Sequence, residues 1–424
     1  MDLTYTPEDE AFRAAVRAWL AEHLPRKKLE TFEEQRAWHR TLYEAGYIGM
    51  GWPVAYGGKN ARPMEQAILG EEMARVDAPG GVNGLGIGLV GPTLIHHGTA
   101  EQKQRYLRNI LAAEEIWCQL YSEPNSGSDL ASLRTRAVLD DDEFFINGQK
   151  VWTSGAQHAD WGLLLARTDP NAPKHLGISC ILVDLHSPGV EVRPLKQISG
   201  ASEFNEVFFT NVRVPRENLV GELHTGWQIA QTTLSYERGG STLGPVSRQL
   251  AQFQRLLEAA GALRRGGSRA IDDPVVRQKL GQMYGEIEVL RYGALRLLSR
   301  LEKGLRPGPE SSITKLYRSE LDQRIQELTL EILGPYGQLI AGEPDALALE
   351  PGAAFGESGS WAFAFARSRS ATIAAGTSEV QKNIIGERVL GLPKEIRADR
   401  IQAQRAARLP QAGSWGAASS GGEG

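Results

Sequence analysis

Residues 121–130, Tyr-Ser-Glu-Pro-Asn-Ser-Gly-Ser-Asp-Leu, stand where the hydrophobic pattern of the chain changes its period. Before them, over residues 7–113, apolar side chains recur at the spacing of helices. From just before them onward, over residues 115–220, short apolar runs alternate with Asp, Asn, Gly and Pro, which is typical of antiparallel strands. The segment by itself predicts a turn in which Ser128 or Asp129 caps a short element.

Helical spacing returns after Thr225, and two ladders of apolar residues then step by threes and fours, over residues 276–301 and 321–332. Such ladders bury one face of each helix and favour a bundle. After Pro393 the sequence turns basic and then small and polar, a composition that buries too little apolar surface to order itself. We therefore predict a mainly α chain with a β middle domain: a helical N-terminal domain over residues 1–114, a β-barrel-like domain over 115–222, a C-terminal helical bundle over 223–396 and a disordered tail over 397–424.

The composition argues against several classes of function. The longest apolar runs in the 424 residues fall well short of the roughly 18 that a membrane helix needs. A formal charge of −4 without a basic run argues against nucleic acid as a partner, and the His residues lack the spacing of metal ligands. Two cysteines are too few for a disulfide framework, and the acidic start of the chain lacks the order of a secretion signal, so we expect a cytoplasmic protein.

One glycine-rich segment, residues 86–91, reads Gly-Ile-Gly-Leu-Val-Gly and matches the GxGxxG fingerprint of dinucleotide-binding domains. That fingerprint needs a strand before it and a helix after it. Here a helical pattern and a Pro-Gly-Gly turn precede the segment. We interpret it instead as a flexible or closely packed glycine segment.

Two further stretches are informative. Residues 146–155 read Ile-Asn-Gly-Gln-Lys-Val-Trp-Thr-Ser-Gly, in which Asn147-Gly148 predicts the turn of a β-hairpin. Trp152, taken alone, is expected to be an ordinary core residue of a strand. Residues 376–386 begin Gly-Thr-Ser and by themselves predict the capped start of a helix.

Together these stretches resemble the acyl-CoA dehydrogenase family, whose members carry a TEPxxGSD, a W-x-T and a GTSxxQ segment in this order. Residues 331–337, Glu-Ile-Leu-Gly-Pro-Tyr-Gly, are similar to a segment that a neighbouring subunit lays on FAD in that family. The resemblance covers about residues 6–393. It implies the domain arrangement stated above, bound FAD, and removal of two hydrogens from the α and β carbons of an acyl-CoA, which gives a trans-2-enoyl-CoA.

The resemblance also implies roles for single residues. Ser122 offers its hydroxyl and Tyr121 its backbone to the flavin edge, while Ser128 contacts the CoA part of the substrate. Trp152 packs on the flavin, and the hydroxyl of Ser154 bonds flavin N5, the atom that accepts hydride. The full set implied for the cofactor is Tyr121, Ser122, Gly127, Ser128, Trp152, Thr153, Ser154, Glu331, Gly334, Thr377 and Glu379.

The expected catalytic base departs from a common family pattern. Many members place a Glu just before the Gly of the third segment, where this chain has Ala375, and a methyl group does not take a proton. Glu237 stands where isovaleryl-, long-chain- and steroid-side-chain-type members carry their base, so the resemblance implies that Glu237 is the base. On position alone, a solvated or salt-bridged helix residue is the competing interpretation. The residues implied for the substrate are Ser128, Tyr236, Arg238, Ala375 and Gly376.

A second departure concerns the FAD pyrophosphate. The family's Arg-x-x-Phe-Gly segment is replaced by a stretch with Arg264, Arg265 and Arg269, and the sequence does not decide which of them meets the phosphates. The resemblance implies a homo-oligomer, a dimer or tetramer, that passes electrons to electron-transfer flavoprotein or a similar acceptor. A subunit of a heteromeric dehydrogenase and a flavin monooxygenase or oxidase on the same scaffold are the alternatives.

Small residues near the expected substrate favour a branched or bulky acyl group, since they leave volume for it. These are Ala374 and Ala375 just before the third segment and Gly84, Gly86, Gly88 and Gly91 in the helical domain.

Overall fold

The computed structural model of the chain describes residues 5–239, 243–305, 307–339 and 360–394, and for residues 237–239 it describes the backbone alone. The predicted tail over residues 397–424 lies outside this part. The N-terminal region forms helices α1 (Pro7–His23), α2 (Phe32–Glu44), α3 (Pro63–Arg75), α4 (Gly91–His97) and α5 (Ala100–Ala112). Threonine capping boxes begin α1, α2 and α5, which explains why these helices start where they do.

The middle region forms an eight-stranded sheet in the order β6-β7-β3-β2-β4-β5-β8, with β1 paired to β4. The prediction of antiparallel strands is wrong at β1, which runs parallel to β4. A parallel pair needs a crossover connection, and the β2–β3 hairpin supplies it here. The strands are β1 (Trp117–Leu120), β2 (Arg136–Asp140), β3 (Glu143–Ser154), β4 (Trp161–Arg167), β5 (Ile178–Asp184), β6 (Val190–Leu195), β7 (Phe204–Pro215) and β8 (Leu219–Val220).

The predicted hairpin turn at Asn147-Gly148 is wrong. Both residues lie inside β3, and the turn between β2 and β3 falls at residues 141–142. The β3–β7 pairing shifts register beside Gly148, which has φ +148°, and a Cβ at this position would lie 2.7 Å from Cα of Thr135. Gly148 therefore serves a β-bulge and a close approach of two backbones.

The glycine-rich segment of residues 86–91 does not follow a strand. Residues 86–90 form a π-helical turn that runs directly into α4. Gly91 packs so closely on Trp52 that an added Cβ would lie 2.1 Å from the indole. The interpretation as a closely packed segment is therefore correct at Gly91.

The C-terminal region forms a helical bundle, as the two ladders predicted. Both ladders lie in long helices, and their residues Leu280, Ile287, Leu321 and Ile332 are buried in one core with α3 and α7. Within the described residues, no helix is both long and apolar enough to cross a membrane. The elements are α6 (Gly226–Gly239), α7 (Leu243–Ala262), a small hairpin of β9 (Arg264–Arg265) and β10 (Ser268–Arg269), α8 (Pro274–Glu302), α9 (Ser311–Leu333), α10 (Trp361–Ser368) and α11 (Ser378–Ile384).

A buried carboxylate on α3 fastens the N-terminal helices together. Glu72 is 1% exposed and pairs with Arg13 at 2.8 Å and Arg17 at 2.7 Å, both on α1, and with Arg75 at 2.9 Å. Burial alone would raise the pKa of Glu72, but hydrogen bonds from the three guanidinium groups outweigh it and lower the pKa from 4.5 to about 2. α1 is therefore docked on α3 through a charge cluster.

We expect Glu72→Gln to lower the free energy of unfolding near neutral pH by about 1.5–3 kcal/mol, the worth of hydrogen bonds to a charged group. Between pH 4.5 and about 2 the carboxyl of Glu72 is protonated in the unfolded chain but ionised in the folded chain. The contribution of Glu72 to the free energy of unfolding is therefore complete above pH 4.5 and is lost as the pH falls through this range. Urea midpoints of wild type and variant should therefore converge as the pH falls through this window. The exposed control Glu114→Gln should follow wild type throughout, and a constant gap for Glu72→Gln would contradict the assignment.

Candidate active site

Trp152 differs from its two neighbours in β3 because its indole is 60% exposed while Val151 and Thr153 are buried. The β3–β7 register shifts between Lys150 and Thr153, and Trp152 takes a left-handed conformation with φ +59°. That conformation is unfavourable for a residue with a bulky side chain. The bulge therefore holds a large flat surface outward, edge-on to the ring of Phe204, instead of burying it in the core.

Lys150, two residues before Trp152, is fully buried and reaches the end of β1. Its ammonium donates to the Tyr121 carbonyl and to Oε1 of Glu123, each at 2.9 Å, and the same carboxylate accepts two backbone N–H groups of the following loop. Burial lowers the pKa of Lys150 to about 8 against the attraction of Glu123. Burial would raise the pKa of Glu123, but Lys150 and the two N–H groups lower it. A charged pair therefore fixes residues 121–123 against β3.

The pair of Lys150 and Glu123 brings several predicted cofactor residues together. The carbonyl of Ser122 accepts the N–H of Val151 at 2.9 Å, which places it next to Trp152. Thr153 is 1% exposed, and its hydroxyl has no partner within the described residues. Ser154 lines a crevice of about 1020 Å³ whose opposite wall is formed by the N-terminal region.

The third segment begins with a strained turn. Ala375 has φ +56° and Gly376 has φ +87°, and residues 373–375 are exposed. The Gln381 amide donates to the Ala375 carbonyl at 3.0 Å, and the Lys315 ammonium donates to the Gly376 carbonyl at 2.6 Å. Both carbonyls are thus held, while the Ala375 N–H makes no hydrogen bond within the described residues. The turn therefore presents a free backbone donor.

Thr377 caps α11 by accepting a backbone N–H of its first turn, as the sequence predicted. Thr377 and Glu379 line a groove of about 730 Å³ between α9 and α11. The cations that line this groove, Arg324 and Lys382, are each paired with a glutamate. The groove offers hydroxyl and carboxylate groups, but its lining residues include no unpaired lysine or arginine.

Glu331 and Gly334 lie apart from these residues, at the end of α9. Glu331 pairs with Lys279 of α8 at 2.7 Å and lines a cleft of about 230 Å³ that adjoins the groove at Arg324 and Glu327. Arg265 donates to the Glu331 carbonyl and lies beside Gly334, whereas Arg269 is engaged by an aspartate three residues on. Four of the predicted cofactor residues thus line three different clefts: Ser154 lines the crevice at β3, Thr377 and Glu379 the groove at α11, and Glu331 the adjoining cleft at α8.

The predicted substrate residues on α6 lie at its C-terminal end. The Tyr236 side chain is 36% exposed. Glu237 and Arg238 are helical in their backbone, and their side chains lie outside the described part. Gly127 and Ser128 are exposed in the loop that follows β1.

The sequence matches three domain models in chain order, the acyl-CoA dehydrogenase N-terminal domain over residues 6–114, the middle domain over 118–212 and the C-terminal domain over 224–390. It is 40% identical over 402 residues to the acyl-CoA dehydrogenase IpdE1 of Mycobacterium tuberculosis, a match that covers 92% of this chain and 99% of that protein. The chain belongs to the acyl-CoA dehydrogenase family. It is therefore an oxidoreductase that acts on acyl-CoA.

Solved structures show the same fold as this dehydrogenase. The ChsE4-ChsE5 complex from Mycobacterium tuberculosis is 33% identical, with a TM-score of 0.80 over 93% of this chain and 100% of that chain. The Tcur3481-Tcur3483 steroid ACAD is 32% identical, with a TM-score of 0.79 over 93% of this chain and 100% of that chain. The predicted arrangement of a helical N-terminal domain, a β middle domain and a C-terminal helical domain is thus confirmed.

Acyl-CoA dehydrogenases are flavoproteins, and the residues around Trp152 fit the ring end of such a cofactor. An exposed indole beside a buried, unpartnered hydroxyl on Thr153 suits a ligand with a flat apolar face and a polar edge. The groove at Thr377 lacks an unpaired cation for a pyrophosphate among its lining residues. A single chain therefore offers suitable contacts for the flavin ring, whereas the described lining of the groove at Thr377 offers no unpaired cation for the phosphates of FAD.

The sequence interpretation missed four residues that hold this dehydrogenase's candidate site in shape: Glu123, Lys150, Lys315 and Gln381. Three of them stand inside the quoted segments, but a linear pattern does not tell a buried ion pair or a held carbonyl from a solvated side chain. Lys315 lies 61 residues from its partner Gly376 and gave no signal.

Proposed function

We propose that this dehydrogenase catalyses the FAD-dependent α,β-dehydrogenation of an acyl-CoA thioester to a trans-2-enoyl-CoA. The observation that carries the proposal is the Trp152 indole, which a strained bulge holds outward although a tryptophan in a strand is ordinarily buried. When bound, FAD supplies the acceptor for the β-hydride. Ser122, whose carbonyl accepts the Val151 N–H, and Ser154, two residues after Trp152, are proposed to bond the flavin edge. The further proposed contacts are Tyr121, Gly127, Ser128, Thr153, Thr377 and Glu379.

Glu237 is the proposed base that removes the α-proton, with Tyr236 and Arg238 beside it at the substrate. The developing enolate oxygen of the thioester needs a donor that is already in place, because such donors stabilise charge most in a site without water. The free N–H of Ala375 supplies one, and its position is fixed because Gln381 and Lys315 hold the adjoining carbonyls. A change from Glu to Ala at position 375 removes a side chain but leaves this N–H intact.

The proposed acyl group is branched, long or ring-bearing. Gly84, which lines the crevice beside Ser154, and Gly88 both have open space where a side chain would stand. The expectation is wrong at Gly86 and Gly91, where an added Cβ would lie 2.4 Å from the Asn83 side chain and 2.1 Å from the Trp52 indole. Ala374 and Ala375 are exposed and small. The steroid ACAD with which the chain shares its fold also supports a bulky substrate.

We expect the purified protein to be yellow and to be bleached by bulky acyl-CoA thioesters under anaerobic conditions. The expected FAD content is one per chain, or one per two chains if sites are shared. An acyl-CoA panel from butyryl to ring-bearing thioesters measures kcat/KM, and a maximum at butyryl-CoA would contradict the proposed substrate class. Protein that stays colourless after incubation with FAD would overturn the function itself.

Reoxidation separates dehydrogenase from oxidase or monooxygenase. We propose electron-transfer flavoprotein or a similar one-electron acceptor as the partner, so the reduced protein should reoxidise slowly in air and fast with such an acceptor. Rapid reoxidation by oxygen alone, measured by stopped flow, would favour the oxidase or monooxygenase instead.

The assembly is proposed to complete the cofactor site. Glu331, Gly334 and Arg265 form one surface patch away from Trp152, and neither Arg264 nor Arg265 is paired with a carboxylate in the described residues. A second subunit in a dimer or tetramer would bring this patch to the pyrophosphate of the first. If the assembly is a homo-oligomer, this chain should bind one FAD per chain when it is expressed without a second, different chain. A structural relative that is a complex of two different chains favours the heteromeric alternative, in which this chain alone retains less than one FAD per chain after purification.

A further inference from the structure

Helix α6, which carries the proposed base, is tied to two other regions by buried hydroxyl groups. The Tyr121 hydroxyl donates to Oγ1 of Thr233 at 3.1 Å, and Oγ1 of Thr93 lies 2.9 Å from the same atom. Thr233 and Thr93 are fully buried, and Tyr121 is 5% exposed. Tyr121 belongs to the β region, Thr233 to α6 and Thr93 to α4, so this hydroxyl chain joins all three regions at one point.

Both threonine hydroxyls would have a hydrogen-bond partner even without the contacts between regions. Thr233 Oγ1 also lies 3.0 Å from the Ile229 carbonyl of its own helix, and Thr93 Oγ1 lies 2.7 Å from the Leu89 carbonyl. A buried threonine is commonly satisfied by the carbonyl four residues earlier in its own helix. The bond from Tyr121 is therefore additional, because Thr233 accepts it, whereas the Thr93–Thr233 bond takes the proton of one of the two threonines in place of its carbonyl bond. Because hydrogen bonds weaken with distance and angle, the bonds between regions fix the height and rotation of α6.

Tyr121 also connects α6 to the proposed flavin platform, which is the exposed Trp152 indole with the adjoining residues Ser122 and Ser154. Its carbonyl accepts the ammonium of Lys150, which stands two residues before Trp152, and the next residue is Ser122. Two side chains, those of Lys150 and Tyr121, thus link the strand that bears Trp152 to α6. Any movement of α6 would therefore change the position of this helix relative to the flavin platform.

The beginning of α6 is fixed independently. At Gly226 an added Cβ would lie 2.6 Å from the Ser179 backbone carbon, so the first turn is packed directly on β5. Thr233 is a second fixed point two turns later, and position 237 follows it by one turn. The hydroxyl chain therefore controls the part of the helix where the base position falls.

We propose that Tyr121, Thr233 and Thr93 are positioning residues that set the distance between the base at position 237 and the flavin platform. The inference rests on the proposed function. Proton and hydride transfer are sensitive to geometry, and a misplacement of about 1 Å costs about a hundredfold in rate. The hydroxyl chain thus acts on the chemical step and leaves binding of the thioester nearly unchanged.

The test is anaerobic stopped-flow bleaching of the FAD-loaded protein by its best thioester. Thr233→Val and Tyr121→Phe each remove one hydroxyl at nearly constant shape, and each should lower the rate constant at saturating substrate roughly tenfold or more, with FAD content and substrate Kd near wild type. The double variant should match the slower single variant, because both changes break the same link. Thr233→Ser restores the hydroxyl and should restore most of the rate.

Thr329→Val is the matched control. Thr329 is also fully buried in a helix, but its hydroxyl bonds the Ile325 carbonyl of its own helix and, among the described residues, no other region. A rate loss in Thr233→Val and Tyr121→Phe no larger than in Thr329→Val, or additive losses without rescue by Thr233→Ser, would overturn the positioning role. If Thr233→Val loses FAD, Tyr121→Phe decides by the same rate criterion. A wild-type protein that no thioester bleaches would overturn the proposed function, and this inference with it.

Discussion

Glu237→Gln should slow flavin bleaching by acyl-CoA by roughly 10² to 10⁴-fold while FAD stays bound. Glutamine keeps the size and hydrogen-bonding shape of the side chain but has no site that takes up the α-proton. Arg238 does not take over this role, since a guanidinium stays protonated. The measurement is the rate constant of anaerobic bleaching at saturating thioester.

A matched control and a second-site variant sharpen this test. Glu258→Gln makes the same change at an exposed glutamate of α7 and should leave the rate at the wild-type value. Adding Ala375→Glu to Glu237→Gln should recover part of the rate, because the two positions stand where different members of the family carry the base. Bleaching of Glu237→Gln at the wild-type rate would make Glu237 a structural residue and the base some other acid.

Lys150→Met should lower the free energy of unfolding by about 3–5 kcal/mol, because it leaves Glu123 as an unpaired buried charge. The loss should also release FAD, since the same pair holds Ser122 against the strand that presents Trp152. Urea unfolding followed by intrinsic fluorescence and the flavin absorbance of the purified protein measure both effects.

Two variants test whether the buried charge is the cause. Lys174→Met makes the same replacement at a partly exposed ion pair with Asp129 and should cost less than about 1 kcal/mol. Glu123→Gln with Lys150→Met removes both charges and should be more stable than Lys150→Met alone. Equal losses in Lys150→Met and Lys174→Met would show that the buried pair has no special role.

The long helices were predictable because their signal is local. The ladder over residues 276–301 repeats every three or four positions, and only a helix places such residues on one face, so α8 follows from the sequence with little help from the rest of the chain. The start of α11 is predictable for the same reason, since Thr377 caps a backbone N–H three residues away.

The Asn147-Gly148 pair shows where local signals fail. The dipeptide favours a two-residue turn, but the adjacent backbone of Thr135 needs a glycine beside it, and this contact decides for a bulge within one strand. Trp152 is a second case, because no spacing rule distinguishes a core tryptophan from one that a bulge turns outward. In both cases the deciding partner lies outside the local segment: Thr135, just before β2, for Gly148 and β7 for Trp152.

The sequence by itself determined the family, the order of the domains and the segments from which the candidate site is built, because these depend on residue types at short, fixed spacings. Only the tertiary structure decided how the segments are held: Lys150 against Glu123 across 27 residues, and Tyr121 against Thr233 across 112. The reason is physical. A buried charge or hydroxyl is stabilised by whichever group the fold brings within hydrogen-bonding distance, and nothing in the local spacing of residues encodes which group that is.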